Sequence, residues 1–162
     1  MAGKTITDYK SIITSKLIGD ELLLKALINN ESDFHVNNIN IGPEDTEDTL
    51  YTYIYPYKIA ENFFVETNSV LSIFSNFYSD NSNNFYTGYI LFNAICPKDL
   101  LKTDYGIRYD FIIDTIKTIF DNKKDMGIGK CVITNINDLD ITSSNYYGAS
   151  CTLKISNSKG QK

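Results

Sequence analysis

The sequence predicts an α+β fold: a mostly antiparallel sheet of about five strands, with an N-terminal helix or helical pair and one crossing helix packed on one face. Three observations carry this. The clearest helical period in the chain falls at about 105–122, where Tyr109, Ile112, Ile113, Ile116, Ile119 and Phe120 recur in steps of three and four. Strand-like runs lie on both sides of it, Phe85 to Cys96 before and Cys131 to Ile136 after. The order of elements is helices, three strands, one helix and two strands, which suits hairpins covered on one face by helices.

Taken in order, Thr7 or Asp8 can cap a first helix ending near Ile18, with Ile12, Ile13 and Leu17 as its apolar stripe. Gly19 interrupts it. Asp20 and Glu21 restart a helix carrying Leu22, Leu23, Leu24, Leu27 and Ile28. Glu31 to Thr49 reads as a 19-residue acidic loop with Gly42-Pro43 and the acids Glu44, Asp45, Glu47 and Asp48. That is long for a compact domain, so the loop is either mobile or used for contact.

Leu50 to Ala60 reads as a strand with Tyr51, Tyr53, Tyr55 and Tyr57 on one face and Thr52, Ile54 and Pro56 on the other. Pro56 cannot donate to a ladder, so it marks an edge or a strand end. Asn68 to Asp80 is a second strand with Leu71, Ile73 and Phe77 on one face. Ser79 to Asn84 has the composition of a hairpin connection. Phe85 to Cys96 is apolar on both faces and belongs in the middle of the sheet. Asp104 is placed to cap the crossing helix, and Gly127 to end it in a left-handed conformation. In the last strand Ala149, Cys151, Leu153 and Ile155 face the core, while Ser150, Thr152, Lys154 and Ser156 face out. One domain over 1–157 and a short polar tail, 158–162, account for the chain.

Composition narrows the function classes. The chain is 43% hydrophobic and 22% charged, with a net charge of −5, which argues against a protein that grips nucleic acid over a basic face. Cys96, Cys131 and Cys151 form no C-x-x-C pair and lie in strand-like runs, as buried reduced thiols do. Met1 to Asp8 is polar, unlike a secretory signal. No apolar run approaches the roughly 20 residues of a membrane helix, so no membrane partner is expected.

No residue set reads as chemical. His35 is the only histidine, in a loop without a nucleophile motif. The four acids before Leu50 lack the spacing of an EF-hand. Asp138 and Asp140 read as turn residues. Gly127-Ile128-Gly129-Lys130 resembles a phosphate loop only superficially, because it closes a helix where a P-loop opens one. No catalytic residue, metal or cofactor is therefore expected. Arg108, the sole arginine, stands near a helix start where the dipole disfavours it, so it needs a carboxylate on a neighbouring segment or chain.

The aromatic content is unusual: twelve Tyr and nine Phe. Tyrosine pairs an apolar body with a polar tip and is enriched at interfaces. Tyr51, Tyr53, Tyr55, Tyr57 and Arg108 are the candidate subunit interface, and Glu44, Asp45, Glu47 and Asp48 the candidate lumen or partner loop.

Several of these features together resemble a known family. They are Tyr53-Ile54-Tyr55-Pro56-Tyr57, the strand Tyr89 to Cys96, Arg108-Tyr109-Asp110 opening a helix, Ile119 to Lys123, Gly127-Ile128-Gly129 and Tyr147-Gly148-Ala149. Their order resembles the tail-terminator and neck (head–tail joining) proteins of tailed bacteriophages. The resemblance implies a structural virion subunit without catalytic residues. It implies a ring of about six or twelve copies that meets portal or connector and tail proteins and lets DNA pass without binding it. A phage-encoded binding or inhibitor module of the cytosol is the alternative, and a small enzyme the third reading.

Overall fold

The crossing helix organises the molecule, and its apolar stripe explains how. In the computed structural model, which describes residues 6–35, 48–59, 68–79, 85–124, 129–142 and 145–158, this helix is α3, Arg108–Phe120. Ile112, Ile113, Ile116 and Phe120 are buried beneath it, while Asp110, Asp114, Lys117 and Thr118 face water. Ile119 is half-buried. The helix starts three residues later than its period suggests. Asp104 does not cap it: Ile107 is the cap residue and makes no side-chain cap bond. Residues 102–107 instead form a small hairpin, β4 (Lys102–Thr103) and β5 (Gly106–Ile107), in which Gly106 takes a φ of +103°. The helix also ends early. Asp121 is its C-cap and Asn122 takes the left-handed φ of 58° expected further on, at Gly127, which lies outside the described residues.

Ahead of the sheet come α1 (Ile6–Ile18) and α2 (Glu21–Ile28). Asp20 caps α2 by accepting from the Leu23 amide at 2.9 Å. Ile13, Leu17, Leu23, Leu24 and Leu27 join one core with α3 and the sheet.

The sheet runs β1-β2-β3-β7-β6, with β1 (Ile54–Tyr55), β2 (Val70–Ser79), β3 (Phe85–Pro97), β6 (Lys130–Asp138) and β7 (Tyr146–Ser158). All neighbours are antiparallel except β1 and β2. The two longest strands, β3 and β7, are central, and each is paired on both sides. Register places Ile73, Phe92 and Cys151 in one row, and Leu71, Ala94 and Ala149 in the next, all buried under the helices. Phe92 stacks on Phe120 at 5.5 Å, which fixes α3 over the sheet centre. The last strand faces the core through Ala149, Cys151, Leu153 and Ile155 as its alternation predicts.

The main departure lies at Leu50 to Ala60. The strand expected there shrinks to two residues, because Tyr51 has a φ of +70° and the chain folds on itself. The Tyr51 amide donates to the Ile54 carbonyl at 2.8 Å, and the Tyr53 amide to the Thr49 carbonyl at 2.9 Å. A side chain at positive φ breaks an extended run. Ala60 and the hairpin connection at 80–84 lie outside the described residues, as do 159–162 of the tail.

Candidate interaction surface

Tyr51, Tyr55 and Tyr57 converge where the tight turn leads into β1. Rings of Tyr51 and Tyr57 stack at 6.3 Å, and Tyr55 meets Tyr57 edge-on at 5.7 Å. Tyr51 is 61% exposed and Tyr57 48%. Two bonds pin the segment that carries them: Ser72 Oγ donates to the Tyr57 carbonyl at 3.0 Å, and Lys10 Nζ to the Pro56 carbonyl at 2.9 Å. Tyr53 departs from the expected stripe. It is half-buried and packs against the core, and its carbonyl accepts from the Leu71 amide at 2.7 Å. The surface is thus a cluster of three rings on a fixed edge rather than a row of four.

Arg108 does not belong to that surface. It is 1% exposed, and all five of its N–H groups are used inside the fold. Nε donates to the Leu100 carbonyl at 2.8 Å. Nη1 donates to Ala26 at 3.0 Å and Asn29 at 2.6 Å, and Nη2 to Asn30 at 3.3 Å and Glu31 at 2.7 Å. The Phe34 ring lies 4.9 Å from the guanidinium carbon. The partner is therefore the C-terminal end of α2, whose carbonyls carry partial negative charge, and not a carboxylate. Burial lowers its pKa, and the nearby Cys96 acts against that. A cation disfavoured at the positive end of its own helix is thus satisfied by the open C-terminal end of another.

Of the four loop acids only Asp48 is described, and it is exposed; Glu44, Asp45 and Glu47 lie outside the described residues. A different acidic corner does form. Asp110 in the first turn of α3 has its pKa raised by burial, then by the charges of Asp138 and Asp114. Beside it the last residues of β6 open to water. A bulge between Ile133 and Asn135 turns the strand, so Ile136 lies opposite the buried Cys151 and is still 46% exposed. Nothing in the residue pattern of 131–138 announces that bulge.

His35 is exposed, with its ring 5.2 Å from Tyr105. The three thiols are free and buried, and burial pushes Cys96 and Cys131 up to about 11 and Cys151 to about 12. Among the described residues no group of three or more His, Cys, Asp or Glu is placed to hold a metal. No described helix is long and apolar enough to cross a membrane.

The profile of the YomW family matches residues 20–155, from the cap of α2 to the body of β7. The chain belongs to the YomW family. YomW is a protein of an SPbeta-like Bacillus phage region, and membership of its family is consistent with a phage origin for this chain. The matched span contains β1 to β6, β7 as far as Ile155, α3, the tyrosine cluster and the Arg108 cage. No curated protein matches the chain.

Proposed function

We propose that this YomW-family chain is a structural phage protein that assembles with copies of itself, as a ring subunit at the phage neck between head connector and tail. The observation that carries the reading is the cluster of Tyr51, Tyr55 and Tyr57, two of them about half-exposed or more, on a pinned sheet edge. Large amphipathic rings held in place cost little entropy to bury and are the usual anchors of an interface. The family's phage association and the resemblance in element order to tail-terminator proteins support that location. The net charge of −5 fits a channel wall that repels a passing DNA duplex.

Two measurements test this. Light scattering on the purified protein gives its mass, with a closed oligomer of about six or twelve copies expected from the resembling family. Mass spectrometry of purified virions then gives its copy number beside the portal. A monomer in solution that is also missing from virions sinks the reading. That outcome favours a binding module for a host protein, for which the helix-free face of the sheet, with Phe74 39% and Tyr78 55% exposed, is the specific support.

A further inference from the structure

The core rows of the sheet are incomplete at one end. In the row Ile73–Phe92–Cys151–Ile136 the first three side chains are buried and the fourth is 46% exposed. The outer edge of β6 explains why. Its first half is closed by the exit of α3: the Cys131 amide donates to the Lys123 carbonyl and the Ile133 amide to Asp121 Oδ1, both at 2.9 Å. Past the bulge that cover stops, and Asn135, Ile136, Asn137 and Asp138 are all exposed. Tyr147, 41% exposed, stands further along at the start of β7, four residues before the Cys151 that pairs with Ile136. An aliphatic side chain at a core register position lacks one more apolar group to cover it.

This end of the sheet is acidic, with Asp110, Asp114, Asp138 and Asp140 exposed or partly so. The opposite end of the strand order is β1, where the tyrosine cluster stands with Lys58 exposed and Lys10 held at the Pro56 carbonyl. Asp48 is exposed on that side, as is Asp8 two residues before Lys10.

We propose that the Tyr51–Tyr55–Tyr57 edge of one copy docks on the open end of β6 of the next, its rings covering Ile136 and Tyr147 and its lysines facing the aspartates. The proposal rests on the self-assembly reading above and names the surface that reading lacked. Like-to-like docking would set lysine against lysine at one edge and aspartate against aspartate at the other. The unlike pairing sets opposite charges together, which fixes register and partner choice. Burial raises the Asp110 pKa first and the charges of Asp138 and Asp114 add to it, and a neighbour's ammonium group would offset that second contribution. Because the two patches sit at opposite ends of one sheet, the contact is heterologous and repeats until the rotation closes.

Two surface variants test it. In the first, Tyr51→Asn with Tyr57→Ser removes the rings, with Asn chosen because it tolerates the positive φ of that position. In the second, Ile136→Asp spoils the receiving end. Each alone should be a folded monomer by circular dichroism and light scattering. Mixed one to one, they should give a dimer and nothing larger, since each retains one intact edge. A charge exchange gives a second reading: Lys58→Glu and Asp138→Lys should each weaken assembly at least tenfold, and together restore it. If wild type assembles but the mixture stays monomeric, or either variant still forms the full oligomer, the edge assignment is wrong and self-assembly stands. If wild type itself is monomeric at every concentration, the assembly reading fails and takes this inference with it.

Discussion

Arg108 Nη1 lies 2.6 Å from the carbonyl oxygen of Asn29, so the first residue of α3 caps the last turn of α2 from 79 positions away. Carbonyls left without donors at a buried helix end are costly. Here one guanidinium serves several of them at once, and its planar fork is what makes that reach possible.

Lysine should not replace it. An ammonium group has three donors against the five N–H groups in use, so Arg108→Lys strands at least two contacts. Hydrogen bonds to charged groups contribute about 1.5–3 kcal/mol each, so the loss is on the order of 3–6 kcal/mol. Urea unfolding measures it. A loss under about 1 kcal/mol, the scale of an ordinary neutral hydrogen bond, would mean that the cage is ornamental.

Ile116 lies at the centre of the helix-on-sheet contact and is fully buried. Ile116→Ala should destabilise by about 2–5 kcal/mol, the range for truncating a large aliphatic side chain in a packed core. An unchanged denaturation midpoint would overturn the packing of α3.

Gly88 and Gly148 predict a graded pair. A methyl at Gly88 would run into the Phe77 ring, which can turn at the expense of its contact with Tyr9 at 5.1 Å. A methyl at Gly148 would meet the Ala94 carbonyl, which is backbone of the central strand and cannot turn. Gly88→Ala should cost roughly 1–3 kcal/mol, as overpacking does, and Gly148→Ala more. The reverse order in thermal melts would contradict the β3–β7 register.

The thiols set an alkaline limit. Cys96 and Cys131 are pushed up to about 11 and Cys151 to about 12 from an ordinary value of 9.0, all by burial. A group whose folded pKa is raised stabilises fully below the unfolded pKa, and that stability is lost as pH rises through the folded one. Stability should therefore fall from about pH 9 towards pH 11–12. Replacing all three by Ala should flatten that part of the curve, within the window in which Tyr and Lys also titrate. Alkylation at pH 8 should be slow in folded protein and fast in urea.

Much of the architecture was legible because it is periodic. Ile112, Ile116, Phe120, Ile90 and Leu153 announce their burial through steps of three, four or two and are fully buried, whereas Ile119, expected to be buried by the same period, is only half-buried. The tyrosine segment misled for the same reason. Its alternation imitates a strand, whereas Tyr51 adopts a left-handed conformation that the residue type does not advertise. Arg108 was legible as an anomaly but not as a solution, since its partners are backbone atoms and any sequence has those. The bulge at Ile133–Asn135 carries no glycine or proline to mark it, so the open end of β6 could only be found in three dimensions.

The Arg108 cage also orders events on the ribosome. The carbonyls of Ala26 to Glu31 leave the exit tunnel first, and the guanidinium that completes them follows after 77–82 further residues. Until then α2 has no C-terminal partner and its leucines have neither α3 nor β7 to cover them. The β2–β3 pair is local and closes early, whereas the helical layer waits for a loop of that length to be drawn shut. Nascent chains halted before residue 108 should bind holdase chaperones through the α2 leucines, and release should wait until α3 and β7 have emerged.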